Sequence, residues 1–171
     1  MDAKTVSESA SAKPETVAER TSDRELGVTR TFDAPPRLVF DAWTKPELFK
    51  RWWVPKSCGM TMLSCELDVR VGGGYKLVFA FGDDTSKTMA FFGKYLEVVP
   101  GARLVWTNDE GEEAGAVTTV TFEERNGKTL LVMRDLHPTK EALDEAISNG
   151  STSGTNETFA QLDELLSTGL A

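Results

Sequence analysis

Between residues 60 and 136 strand-like segments follow one another, with turn residues between them and no helical stripe to separate them. That feature decides most of the fold. Parallel neighbours need a long crossover, usually helical, whereas consecutive strands joined by short turns pair antiparallel. The segments fall near 60–70, 74–82, 87–99, 103–108, 115–124 and 128–136. Val71-Gly-Gly-Gly74, Gly82-Asp-Asp84, Pro100-Gly101, Glu110-Gly111 and Asn126-Gly127 supply the turns. Asn-Gly is the strongest hairpin signal among them, because both residues tolerate the positive φ that a two-residue hairpin turn requires.

An earlier strand is predicted over Glu25–Phe32, where Leu26, Val28, Arg30 and Phe32 share one mixed face, and Ala34-Pro-Pro36 stops it. Pro36 then opens a short helix with Val39, Phe40 and Trp43 on one side. Thr44-Lys-Pro-Glu47 reads as the capping box of a second short helix, whose apolar side is Phe49, Trp52 and Trp53. Near the C-terminus Ala142, Leu143, Ala146 and Ile147 form a short stripe interrupted by Gly150 and Gly154. Phe159, Leu162, Leu165 and Leu166 form the stronger stripe of a terminal helix ended by Gly169. A lone antiparallel sheet must cover its apolar face, and this helix is the element long enough to do so. The predicted class is therefore α+β, a sheet closed by a C-terminal helix. Residues 1–24 contain no aromatic residue and are rich in Ser, Ala, Glu and Lys, so a disordered or loosely helical tail is expected ahead of a domain at 25–169.

Charge narrows the partners. A formal net charge of −8 disfavours nucleic acid, which is held by clustered Lys and Arg, and disfavours an anionic membrane surface. No apolar run is long enough to insert in a membrane, and Met1–Glu8 has no signal-peptide core, so a cytoplasmic location is expected. The Asn149-Gly-Ser151 and Asn156-Glu-Thr158 glycosylation patterns are then expected to be chance matches. Cys58 and Cys65 belong to no CxxC pair and read as free thiols. His137 is the one imidazole, which excludes a His-based metal cluster; neither metal nor cofactor is expected.

Several groups could carry chemistry. Tyr75, Leu77, Phe79 and Phe81 point one way on their strand, as do Phe91, Gly93 and Tyr95 on the next. With Trp52, Trp53, Trp106 and Phe159 they make either a filled core or a lined cavity, which periodicity alone does not separate. Polar candidates for the same interior are Thr118, Asp135, Tyr95 and Arg134, then Glu97 and Arg70. Asp135 follows Leu131 and Met133 at period two, so it either faces inward as a general base with a raised pKa or sits at the rim paired with Arg or water. Arg134, its neighbour, should point to the opposite face. His137 is either an acid–base group at the mouth or a plain loop histidine. Ser57 and Cys58 lack a nucleophile elbow. Gly72-Gly-Gly74 lacks the strand-to-helix setting of a phosphate loop and reads as a tight connection, while Asp109-Glu-Gly-Glu-Glu113 reads as a solvated turn rather than a calcium loop.

Arg30-Thr-Phe-Asp-Ala-Pro-Pro-Arg-Leu-Val-Phe-Asp-Ala-Trp-Thr-Lys-Pro-Glu-Leu-Phe-Lys-Arg-Trp-Trp53 resembles the opening of the activator of Hsp90 ATPase homologue 1-like domain. So do Leu67-Asp-Val-Arg-Val-Gly-Gly73, Gly93-Lys-Tyr-Leu-Glu-Val-Val-Pro100, Arg103-Leu-Val-Trp-Thr107, Thr119-Val-Thr-Phe122 and the closing Asn156–Leu166 stretch. That family lies in the START-related helix-grip superfamily. The resemblance implies a curved seven-stranded antiparallel sheet wrapped around the terminal helix, with two short helices after the first strand. It also implies a central cavity for a small hydrophobic molecule, lined by Trp53, Tyr75, Phe79, Phe91, Tyr95, Trp106, Thr118, Met133, Phe159 and Leu162. Two alternatives stand beside a carrier: a cavity enzyme of cyclase, isomerase or lyase type using Asp135, Tyr95 or His137, and a co-chaperone-like regulator of an Hsp90-type ATPase. The resemblance also allows a homodimer.

Overall fold

Leu26, Val28, Arg30 and Phe32 all face inward and all four are buried, so the mixed face read from the alternation is the face that packs. The computed structural model describes residues 16–54, 59–81, 84–109, 115–148 and 155–168. Eight strands form one sheet: β1 (Val17–Arg20), β2 (Glu25–Phe32), β3 (Met60–Leu67), β4 (Gly74–Phe81), β5 (Asp84–Val99), β6 (Arg103–Thr107), β7 (Val117–Arg125) and β8 (Lys128–Leu136). Their order is β1-β2-β8-β7-β6-β5-β4-β3, and every pairing is antiparallel. Among the described residues four helices accompany it: α1 (Pro36–Thr44), α2 (Pro46–Phe49), α3 (Lys140–Ser148) and α4 (Thr155–Ser167). The class is α+β as expected, with eight strands in place of seven.

The extra strand is β1, inside the stretch expected to be a tail. It pairs with β2 from Val17↔Thr29 to Arg20↔Leu26, although all four of its side chains are exposed. Main-chain hydrogen bonds hold it, so its composition carries no apolar signal. The turn that follows is fixed by polar side chains: the Ser22 hydroxyl accepts from the Arg24 and Glu25 amides at 3.2 and 3.1 Å. The capping box at Thr44 is a second correction. Lys45 occupies the N-cap of α2 and no side chain caps it, while the Thr44 hydroxyl bonds back to the Phe40 carbonyl at 2.9 Å. Pro46 at the first helical position explains this, since the helix start needs no donor there.

The turns at Asn126-Gly127 and Gly72–Gly74 behave as read, while Gly82 and Asp83 lie outside the described residues. Asn126 and Gly127 both have positive φ, 55° and 82°, and close the β7–β8 hairpin between Arg125 and Lys128. The glycine run before β4 is a tight connection: the Gly72 amide donates to the Tyr95 carbonyl and the Tyr95 amide to the Gly73 carbonyl, at 2.9 and 2.8 Å. Expectations about residues 1–15, Ser57, Cys58, Glu110–Glu113, the Asn149–Ser151 pattern, Gly150, Gly154 and the Gly169 stop lie outside the described residues.

The core fills the space between the inner face of the sheet and α1, α2 and α4. Trp43 is its centre, 2% exposed, with the rings of Phe49, Trp52, Trp53, Trp106, Phe122 and Phe159 within 6.5 Å. A helix of α4's length is marginal alone in water, so packing must hold it. Phe159, Leu162, Leu165 and Leu166 are buried, at roughly 1.5–3 kcal/mol each. Polar ties add direction: Gln161 Nε2 donates to the Trp52 and Val54 carbonyls, both at 2.9 Å, and Arg30 on β2 reaches Asp163 at 3.3 Å.

Candidate functional site

Strand register brings five inner-face residues into one row across the sheet. Leu26 pairs with Asp135, Asp135 with Thr118, Thr118 with Trp106, and Trp106 with Tyr95. Tyr75 on β4 adjoins the end of that row, its ring centroid 6.0 Å from that of Tyr95 and 6.5 Å from that of Trp106. Aromatic rings and a short polar chain therefore meet at the end of the sheet nearest the β6–β7 connection.

The polar chain is continuous. The Tyr75 hydroxyl lies 2.8 Å from the Thr107 carbonyl and 3.2 Å from Asn108 Oδ1, both acceptors. Asn108 Nδ2 donates to the Ala116 carbonyl at 2.7 Å and to Thr118 Oγ1 at 3.1 Å. Thr118 Oγ1 donates to Asp135 Oδ1 at 2.6 Å. Asn108 is the member sequence reasoning passed over. It sits just past β6, where Asn reads as a turn residue, and only the fold shows its amide tying two strands together.

Burial raises the Asp135 carboxyl above its ordinary value, against the lowering influence of the Thr118 hydrogen bond and of His137. An inward carboxyl of this kind can exchange a proton nearer neutrality than a surface one. Tyr95 is 4% exposed, and burial pushes its phenol well up, with Cys65 and Asp68 adding to the effect, so it stays protonated. The Cys65 thiol is pushed up to about 11, chiefly by burial, and is no nucleophile at neutral pH.

The remaining candidates separate clearly. Tyr75, Phe91, Trp53 and Trp106 are half-buried and border the chain or the core beside it. Phe79, Met133, Phe159 and Leu162 are buried core residues, Phe159 packing edge-on against Phe32 at 5.6 Å. His137 is half-buried; its amide donates to the Arg24 carbonyl at 2.7 Å and its carbonyl accepts from Arg24 Nε at 3.0 Å. Three polar candidates leave the interior. Arg134 is exposed on the opposite face from Asp135, as alternation requires. Glu97, past a bulge in β5, turns outward to Arg103 at 2.7 Å, and Arg70 lies on an exposed loop against Asp68 at 3.0 Å. Phe81, expected inward, is 48% exposed because the β4–β5 register shifts at that residue.

An open depression of about 630 Å³ is lined by Glu66, Leu67, Asp68, Gly74, Tyr75, Lys76, Ala90 and Phe92. Lys76, Ala90 and Phe92 alternate with buried Leu77 and half-buried Phe91, so the depression opens on the outer face and meets the predicted interior residues only at Tyr75. Among the described residues no group of three His, Cys, Asp or Glu side chains converges as a metal ion would need, and no helix is long and apolar enough to cross a membrane.

Comparison with known proteins adds the relatives. The family described as activator of Hsp90 ATPase homolog 1-like protein matches residues 33–167. Among solved structures, a Rhodobacter sphaeroides protein is 23% identical, superposes with a TM-score of 0.81, and the alignment covers 91% of this chain and 99% of that one. A Staphylococcus epidermidis protein is 28% identical with a TM-score of 0.74, covering 91% and 96%. An AHSA1-like protein from Aeromonas hydrophila is 19% identical with a TM-score of 0.65, covering 83% and 92%. Among curated proteins nothing matches.

Proposed function

Because the chain belongs to the activator of Hsp90 ATPase homolog 1-like family, we propose that it is a binding module that holds a small apolar or aromatic molecule between the inner face of the sheet and α4. The observation that carries this reading is the Tyr75–Asn108–Thr118–Asp135 chain set among Trp106, Tyr75 and Tyr95. A few fixed polar groups in an apolar, aromatic wall are what a small-molecule site needs for orientation and affinity together. A core that only had to be stable would gain nothing from an inward carboxyl, since burying one is costly. Native mass spectrometry of the purified protein, followed by thermal-shift screening against metabolites and lipids, tests it. A co-purifying small molecule or a dose-dependent rise in melting temperature supports the reading. A protein whose melting temperature no compound moves, and which carries no bound mass, contradicts it.

A second reading rests on Asp135 alone: an acid–base enzyme at the same site. Its carboxyl faces inward beside Thr118 and is raised by burial, as a general base needs. Turnover of a bound compound that stops in Asp135→Asn, with binding retained, would favour this reading over a carrier. A third role, regulation of an Hsp90-type ATPase, predicts a change in that enzyme's turnover on adding the protein; unchanged turnover removes it.

A further inference from the structure

The hydrogen bonds of the polar chain run one way. Asn108 spends both amide protons, one on the Ala116 carbonyl and one on Thr118 Oγ1, and presents Oδ1 to the Tyr75 hydroxyl. Thr118 Oγ1 already accepts from Asn108, so its single proton goes to Asp135 Oδ1, 2.6 Å away. The chain therefore ends on a group that only accepts, with Oδ1 occupied and Oδ2 left over. Among the described residues, the fully buried side-chain nitrogens and oxygens that lack a partner are Arg30 Nε and Trp43 Nε1. Asp135 Oδ2 has no partner among those residues and is not one of these sealed atoms, and the residue as a whole is half-buried.

Counter-charge is missing as well. None of the ion pairs formed by the described residues includes Asp135. Across the row its neighbours are Leu26 on β2, then Thr118 and Trp106, none of them charged. The titratable group that bears on it is His137, just past the end of β8, and Arg24 beyond it donates Nε to the His137 carbonyl. The aromatic faces of Trp106, Tyr75 and Tyr95 stand along the same row, and such faces attract cations.

Resting on the binding-module reading, we infer that this site selects ligands that bring a donating nitrogen to Asp135 Oδ2, an arylalkylamine, protonated at neutral pH, being the matching class. The Thr118 hydroxyl directed at Oδ1 supports a carboxylate, and the ligand's ammonium supplies the charge that the protein does not. The aromatic body of the ligand then lies against the rings of the row.

The test uses three probes of one shape: 1-naphthylmethylamine, 1-ethylnaphthalene and 1-acetonaphthone, titrated into the full chain at neutral pH. A charge-assisted hydrogen bond at a shielded carboxylate makes the amine bind about tenfold or more tighter than the hydrocarbon. Asp135→Asn should shrink that gap to about twofold. In the wild-type protein the gap should also close as pH falls and Asp135 takes up a proton, a measurement that needs no variant to fold. Equal binding of amine and hydrocarbon overturns the anchor and leaves the binding module standing. Tightest binding of the ketone overturns it too, because Asp135 would then be the donor. Failure of all three probes to bind overturns the amine proposal and counts against the binding module itself.

Discussion

The Tyr75 ring lies across Gly93: a Cβ on Gly93 would stand 2.8 Å from Tyr75 Cε2 and 1.9 Å from the Thr107 carbonyl oxygen. The two residues are cross-strand partners on β4 and β5, and the missing side chain lets the ring pass over the backbone to Thr107 and Asn108. The Thr107 carbonyl is main chain and cannot swing away as a flexible side-chain tip would. Gly93→Ala is therefore expected to destabilise by about 2 kcal/mol or more. For a chain of this size that lowers the melting temperature by roughly 5 °C. Thermal denaturation checks it, and a variant that melts with the wild type would show that β5 and β6 can part at no cost.

Arg30 and Asp163 tie β2 to α4, but the two ends of this pair are not equivalent. Arg30 is 6% exposed, bonds Thr16 at 3.0 Å and Asp163 at 3.3 Å, and leaves Nε buried without a partner. Asp163 is a third exposed. Removing the carboxylate strands a buried guanidinium, whereas replacing the guanidinium with an apolar chain removes an incompletely satisfied charge. Asp163→Ala should cost about 2 kcal/mol, discounted from the fully buried case because Asp163 is partly solvated. Arg30→Met should lie within about 1 kcal/mol of wild type or above it. Urea unfolding of both variants measures the asymmetry, and equal losses would refute it.

The fold was legible because its signals are local and repeated. Alternation placed Leu26, Val28 and Phe32, and Asn126-Gly127 fixed a hairpin, with no knowledge of distant partners. What stayed hidden depends on contacts far apart in the chain. β1 leaves no apolar trace because its side chains are all exposed and only its backbone is paired. Asn108 becomes part of a chain only when β4, β6, β7 and β8 are laid side by side. Apart from Phe81, the aromatic stripe faces inward as alternation requires, yet periodicity does not separate its sealed members from its half-buried ones. Phe79 and Phe159 are sealed while Tyr75 and Trp106 keep exposure, a difference that depends on neighbours distant in the chain. Period two predicted the side of the sheet for Asp135 and Arg134, but the bulge at Tyr95/Glu97 turned Glu97 outward.

Cys65 offers a direct readout of the β3 environment. Its thiol is pushed up to about 11 from 9.0, chiefly because burial penalises the thiolate, with Lys50 pulling down and Glu47 pushing up by less. Thiolate is the reactive form, so below both values the folded protein holds about a hundredfold less of it than an unperturbed thiol. In a Cys58→Ser background, which leaves Cys65 as the only thiol, alkylation by iodoacetamide near pH 8 should be slower in the native protein by about that factor than in urea. Comparable rates would mean that β3 opens readily or that the thiol is not shielded.

Asp135 makes stability depend on pH in a direction that can be worked out. Its folded-state pKa is raised, first by burial, and the Thr118 hydrogen bond and His137 only partly oppose this. A folded state that holds the proton more tightly than the unfolded chain gains stability from this group below its ordinary value of 3.8. That gain is lost as pH rises through the folded pKa, above which the wild type bears the cost of a shielded carboxylate. Asp135→Asn keeps the shape, accepts the Thr118 hydrogen bond through its amide oxygen and carries no charge. The variant should therefore melt higher than wild type at neutral pH, and the two melting curves should converge as pH is lowered through the folded pKa toward 3.8. Taking the difference between the two proteins at each pH cancels the acid sensitivity of carboxylates elsewhere. A variant less stable than wild type by the same margin at every pH would mean that the carboxylate is held by donors strong enough to outweigh its burial, and the raised carboxyl would have to be abandoned.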